Sequence, residues 1–278
     1  MHISDLDTPE GIVAARRLSP TLAAVVEELE LEQPTVVTSP TIRAIAERRG
    51  LGTSPPVIAA RLRQAGWLLP TGRRGVWEFA PGAHAGPIGH GDPTLPLRGL
   101  LATHPELTPA LSLSSAAWAL GHANRVPNTI DIAVPVGSRV TASMRKDASF
   151  STFTSNIAYR TAKGVPCHRP ESILTHLATT PSAPRSWPAV LEWLPEIAAD
   201  LDADTLLAEL RGRPRSVITR AGYLLIGMRP DLAAPLRPTA PEVVRFGPRT
   251  NAARRFVGSW GVVDHLLPSD PATWESVL

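Results

Sequence analysis

Two neighbouring arginines, Arg73 and Arg74, lie between glycines in the segment "RQAGWLLPTGRRGVWEF" (63–79). Aromatic and aliphatic runs flank them, so the segment predicts a β-hairpin with a positively charged tip. Guanidinium groups form bidentate hydrogen bonds with phosphate and with guanine. The spacing therefore indicates contact with a phosphate-bearing partner outside the protein.

Three Ser-Pro pairs, at Ser19, Ser39 and Ser54, predict the starts of three helices, because serine favours the N-cap and proline the first helical position. Each pair is followed by apolar residues at helical spacing. Only residues 51–53 separate the second and third helices, which is the spacing of a helix-turn-helix. With a short strand at 36–37 and the hairpin, the order predicts a winged helix-turn-helix.

On the third helix, Ile58 and Leu62 should face the core, whereas Arg63 lies on the opposite face with Arg61 and Gln64 beside it. We expect these three polar residues to contact bases, and the hairpin arginines to contact phosphates or enter the minor groove. The complete set of predicted DNA-binding residues is Arg43, Thr53, Ser54, Arg61, Arg63, Gln64, Arg73 and Arg74. Winged helices also act as protein-interaction modules, and that alternative stays open.

The charge distribution has two basic blocks, although the net charge is only +3. Residues 34–79 carry 7 arginines and 2 glutamates, a net +5, and residues 208–255 carry 10 arginines and 3 acidic residues, a net +7. The second block could extend a DNA contact, face an acidic partner, or be scattered over several solvated faces.

The composition divides the chain into three parts. Residues 1–80 are the predicted winged helix, and residues 81–96, with four glycines and four prolines, are a predicted linker. In residues 97–278, strand patterns come first, then a helical block at 187–226, then strands again. This order predicts an α+β domain, larger than the first.

The sequence offers little catalytic chemistry. Cys167 and His168 are neighbours on a predicted strand, so their side chains should point to opposite faces and Cys167 should be a small core residue. The spacing of His84, His90 and Asp92 fits no metal site, and no phosphate loop with a lysine is present. We therefore predict no enzyme activity, no metal and no cofactor.

The expected compartment is the cytoplasm. A single cysteine excludes an intrachain disulfide framework and suits a reducing environment. The acidic start of the chain does not look like a secretory signal, and no apolar run is long enough to span a membrane.

Four segments, "LRQAGWLLPTGRRGVWEFAPG", "LSLSSAAWALGHANRVPNTIDIAVP", "GVPCHRPESILTHLA" and "RAGYLLIGM", resemble the AbiEi family of antitoxins, especially its mycobacterial members. The resemblance implies a winged helix that binds inverted repeats in its own promoter as two copies and represses the operon. It also implies a C-terminal domain that neutralises a nucleotidyltransferase-like toxin. By position, Arg61, Arg63, Arg73 and Arg74 match the family's basic recognition helix and wing.

Two other functions remain open from the sequence. One is a winged-helix transcriptional regulator whose second domain senses a small molecule, which requires a well-formed cavity there. The other is an enzyme acting on nucleic acid, which requires converging carboxylates or a metal centre.

Overall fold

The computed structural model describes residues 18–82, 91–240, 242–248 and 255–275. The chain divides into two units, residues 1–105 and 106–278. The predicted linker falls partly outside the described residues, as do His84 and His90.

The first unit is a winged helix-turn-helix, as the sequence predicts. Its elements are α1 (Pro20–Glu32), β1 (Val36–Thr38), α2 (Ser39–Arg48), α3 (Pro55–Gln64), β2 (Leu68–Pro70), β3 (Val76–Phe79) and α4 (Leu95–Thr103). The wing, the β2–β3 hairpin, joins β1 in an antiparallel sheet with strand order β1-β3-β2. The apolar faces of α1, α2 and α3 meet in one core that includes Leu29, Ile45 and Leu62, each fully buried.

The capping of the second helix differs from the prediction. Thr38, not Ser39, is the N-cap of α2, because the hydroxyls of Thr38 and Thr41 form a reciprocal capping box. Ser19 and Ser54 are the N-caps of α1 and α3, as expected, but only Ser19 accepts a hydrogen bond there, from the N–H of Leu22.

Helix α4 changes the expected domain boundary. We expected the second domain to begin at residue 97, but the two units separate between Pro105 and Glu106. The reason is that α4 packs against β1 and β3, and its Leu97 and Leu100 are fully buried. Apolar burial attaches this helix to the winged helix, which no local sequence signal shows.

The second unit is a mixed α+β domain. Its strands are β4 (Ala110–Leu111), β5 (Asp131–Val134), β6 (Ser149–Thr152), β7 (Arg160–Ala162), β8 (Val165–Cys167), β9 (Val244–Phe246), β10 (Arg255–Val257) and β11 (Val262–Asp264). Its helices are α5 (Leu113–Leu120), α6 (Pro170–Thr179), α7 (Trp187–Leu191), α8 (Leu194–Ala199), α9 (Ala203–Leu210), α10 (Arg215–Leu225) and α11 (Pro230–Ala233).

Two sheets organise this unit, one of five strands in the order β6-β5-β4-β8-β7 and one of three in the order β10-β11-β9. The alternating pattern at 128–135 predicts a half-buried strand, but all four residues of β5 are buried. The difference arises because β5 is an inner strand of the larger sheet, paired with both β4 and β6. Cys167 is fully buried at the end of β8, which confirms it as a core residue.

Two buried histidines lie on helix α6 and just before it. His176 stacks on Phe153 with ring centroids 4.6 Å apart, and His168 meets the same phenyl ring edge-on. No ring nitrogen of either histidine makes a hydrogen bond within the described residues. Burial lowers the pKa of His168 and of His176 to about 3, so both are neutral at pH 7.

These histidines predict acid sensitivity. Below pH 6.5 the unfolded chain protonates them while the folded chain does not, so the free energy of unfolding falls as the pH drops from 6.5 towards about 3. In that range, each histidine should raise the unfolding equilibrium constant roughly tenfold for every unit by which the pH falls. Urea denaturation at several pH values measures the free energy of unfolding. His176→Phe should halve the slope of this free energy against pH. An equally steep slope in that variant would contradict the conclusion that His176 stays neutral in the folded chain.

Candidate nucleic-acid interface

The recognition helix α3 presents two different solvent-facing sides. Ile58 and Leu62 are fully buried, and Ala60 and Arg63 are exposed on the other side. At about 100° per residue, Arg61 lies about 160° around the helix from Arg63. Arg61 therefore shares the outer side of α3 with Val57 and Gln64, whereas Arg63 faces the wing.

A groove between α2, α3 and the wing brings three arginines together. Arg43 comes from α2, Arg63 from α3 and Arg74 from the wing, and all three line a concavity of about 290 Å³. All three are exposed, and none pairs with a carboxylate within the described part of the chain. We call this surface the arginine groove.

The wing is held beside α2 by its backbone. The N–H of Ser39 donates to the carbonyl of Gly75 at 2.9 Å, next to the β1–β3 pairing. Gly75 has φ +75°, and a Cβ there would lie 2.8 Å from the Ser39 hydroxyl oxygen. Only glycine suits both the left-handed backbone and the close approach. This contact places Arg74 opposite Arg63.

The structure gives the two wing arginines different surroundings, and their contact with DNA stays a prediction. Arg74 lines the groove, but Arg73 turns towards α4, where a Cβ at Gly99 would lie 3.4 Å from its Cδ. Two of its guanidinium nitrogens, Nε and Nη2, are buried. The stem of Arg73 therefore packs inside the unit, although the residue is only half-buried.

Two other arginines of the first basic block are neutralised by α1. Arg48 and Arg49 both donate to the carboxylate of Glu28, at 2.5 and 2.6 Å. The hydrogen bonds from Arg49 and then Arg48 lower the pKa of Glu28 below its usual value. The net +5 of the block therefore overstates the charge available to a partner, which concentrates in the arginine groove and at Arg61.

The remaining predicted residues do not line the groove. Thr53 and Ser54 are in the turn before α3, and the Ser54 side chain makes no capping hydrogen bond. Gln64 is exposed on the outer side with Arg61. Sequence reasoning missed Trp77, which lines the groove from the wing. The alternation along β3 was a usable signal, because Val76 and Glu78 on either side of it are buried.

Within the residues that the structure describes, no three histidine, cysteine, aspartate or glutamate side chains are arranged to hold a metal ion. None of the helices in that same part of the chain is both long and apolar enough to cross a bilayer.

The fold and the groove define a winged-helix protein with an α+β domain attached, and comparison with known proteins identifies that second domain. Residues 109–226 match the family model of the AbiEi antitoxin C-terminal domain. The chain is also similar to the solved RV2827C protein from Mycobacterium tuberculosis, at 28% identity and a TM-score of 0.75, over 92% of this chain and 95% of that one. No curated protein matches. Residues 109–226 are therefore similar to the AbiEi antitoxin C-terminal domain, in agreement with the resemblance that the sequence indicated.

The different environments of the wing arginines predict different effects on stability. Arg73→Ala removes a packed stem and should destabilise the first unit by about 1 kcal/mol or more, which lowers its melting temperature by roughly 4–8 °C. Arg74→Ala should leave the melting temperature unchanged, because its side chain is exposed. Thermal denaturation followed by circular dichroism compares the two. Equal melting temperatures would mean that Arg73 is not packed as described.

Proposed function

We propose that the chain is an antitoxin and a transcriptional autorepressor of its own toxin–antitoxin operon, with no catalytic activity. The observation that carries the DNA-binding part is the arginine groove: three exposed guanidinium groups from three elements, without carboxylate partners among the described residues. The AbiEi antitoxin domain supports the antitoxin part.

The groove suits a DNA duplex for electrostatic and geometric reasons. Arginines on α3 and on the wing can reach a base edge and the adjacent phosphates at the same time. Arg63 is the best placed to contact guanine, because it projects from the recognition helix, while Arg43 and Arg74 flank it as phosphate contacts. None of the described residues that line the groove is acidic, which leaves this charge available to a polyanion.

One winged helix covers about one half-site, so we propose that two copies occupy an inverted repeat in the promoter. The partner we propose for the second unit is a nucleotidyltransferase-like toxin from the same operon, and both proteins would act in the cytoplasm. Neutralisation can be tested whatever its mechanism, by expressing the neighbouring gene with and without the full chain and measuring growth. Growth arrest that the full chain does not relieve would contradict the antitoxin role.

Salt dependence of binding to a duplex from the chain's own promoter tests the DNA interface. If two copies each neutralise about four phosphates, the slope of log K against log salt should be near −7. Arg74→Gln should make the slope shallower by about two units, because one phosphate contact is lost from each copy. Fluorescence anisotropy between about 50 and 200 mM salt measures both.

Arg48→Gln is the matched control, because Arg48 is an exposed arginine of the same unit that pairs with Glu28 instead of lining the groove. It should leave the slope unchanged.

Arg63→Gln should reduce the preference for the promoter over unrelated DNA, since it removes a base contact worth about 1–3 kcal/mol. Binding that does not vary with salt would rule out the proposed interface.

A second function is supported by one observation, an open cleft of about 740 Å³ in the second unit. Its lining is partly polar and includes Ser114, Asp131, Arg185 and Trp193. Burial raises the pKa of Asp131, and the Ser114 hydroxyl donates to its carboxylate. Such a cleft is what a regulator that senses a small molecule requires.

The two functions predict different results when the cleft is filled. Ala189 is exposed and lines the cleft, so Ala189→Trp should occupy it. If the second unit senses a small molecule, this variant should change the affinity for promoter DNA in cell extract. If the second unit acts only as an antitoxin domain, DNA affinity should stay the same in extract and in buffer.

A further inference from the structure

A second arginine-rich concavity lies in the second unit, at the start of α10. It encloses about 280 Å³ and is lined by Arg215, Ser216, Thr219 and Arg220 of the helix and by Arg245 of β9. We call it the α10 pocket. It shares no residue with the arginine groove, and nothing in the proposed function uses it.

Arg220 is the central charge of this pocket. Its Nε donates to the carbonyl of Arg245 at 2.7 Å, and its Nη1 donates to the carbonyl of Ala178 at 3.2 Å. These bonds fix a half-buried guanidinium, and burial lowers the pKa of Arg220. No carboxylate pairs with it in the part of the chain that the structure describes. A partly desolvated charge without a counter-ion is less favourable than a paired one, and a bound anion would pair with it.

Thr219 adds a hydroxyl group to the lining of the pocket. Only 2% of this residue is exposed, and it lines the concavity together with Arg215 and Arg220. A threonine hydroxyl can donate a hydrogen bond to an anion. Because Thr219 is one helical turn beyond Arg215, both side chains lie on the same side of α10.

The start of α10 and the rim of the pocket supply further donors. The N-cap is Pro214, which forms no side-chain cap, although its carbonyl accepts from the N–H groups of Val217 and Ile218. In this 11-residue helix, the N–H groups of Arg215 and Ser216 are therefore the ones that need other partners. Arg215 and Arg245 are exposed and form no ion pair among the described residues. Glu242 is the acidic lining residue and is exposed at the rim. Three guanidinium groups against one carboxylate leave the pocket positive.

We propose that the α10 pocket binds a phosphoryl group. A tetrahedral phosphate oxyanion can accept hydrogen bonds from guanidinium, hydroxyl and backbone N–H donors together, which matches the donors converging here. The phosphoryl group could belong to a free nucleotide or to a nucleic-acid backbone, since both present the same chemistry. This site would give three arginines of the second basic block, Arg215, Arg220 and Arg245, a defined partner.

Titration of the full chain with inorganic phosphate at constant ionic strength tests the site, with binding measured by isothermal calorimetry or ³¹P NMR. We expect one phosphate per chain in the second unit. Arg220→Gln should weaken binding by about tenfold or more, because a charge-assisted hydrogen bond is lost. If that variant does not fold, Arg215→Gln with Arg245→Gln should produce a comparable loss, since both side chains are exposed.

Two controls separate this site from other arginines. Arg211→Gln removes an exposed arginine of the same basic block that does not line the pocket, and it should leave phosphate affinity unchanged. Arg63→Gln with Arg74→Gln disables the arginine groove and should also leave it unchanged, so the DNA-binding proposal can fail without affecting this one. No binding up to about 10 mM phosphate, or equal losses in the Arg220 and Arg211 variants, would overturn the proposal.

Competition identifies the source of the phosphoryl group. A nucleoside triphosphate that displaces phosphate at lower concentration than a short duplex of unrelated sequence indicates a free nucleotide. The reverse order indicates a nucleic-acid backbone. In either case, sensitivity to Arg220→Gln supports the site, and insensitivity to it contradicts the site.

Discussion

The arrangement of the first unit depends on one backbone contact, the hydrogen bond from the N–H of Ser39 to the carbonyl of Gly75. This bond and the adjacent β1–β3 ladder attach the wing to the start of α2, while the shared core fixes α2 against α3. The core thus fixes Arg43 relative to Arg63, and the backbone contact with the β1–β3 ladder brings Arg74 to them. Without this contact, Arg74 would not be held beside the other two arginines.

The two proposed anion-binding surfaces are both positively charged, although they are built differently. In the first unit, Glu28 neutralises Arg48 and Arg49 and leaves the arginine groove as a confined positive surface. In the second unit, backbone carbonyls instead of carboxylates hold Arg220, so its charge stays uncompensated. Carbonyl partners fix the direction of a guanidinium group without cancelling its charge, and this leaves it able to attract an anion.

The sequence predicted the features that depend on local spacing. The Ser-Pro pairs, the short turn before α3 and the apolar spacing of Ile58 and Leu62 gave the winged helix and the exposed position of Arg63. Local spacing could not distinguish Arg73 from Arg74, because the direction of Arg73 depends on α4, which lies beyond the linker. It also could not show the α10 pocket, since the bonds that hold Arg220 connect residues 25 and 42 positions apart in the chain.

The central claim, that the arginine groove faces a DNA duplex, can be tested by DNA cleavage from a tethered probe. The single cysteine, Cys167, is fully buried, so a thiol-directed iron chelate can be attached selectively at an introduced cysteine. The two positions are Ala60→Cys in the groove and Leu31→Cys on α1, where the residue is 85% exposed. We expect the Ala60 probe to cut promoter DNA in two clusters, one in each half-site, and the Leu31 probe to cut little. Equal cutting from both positions, or none from Ala60, would contradict the account.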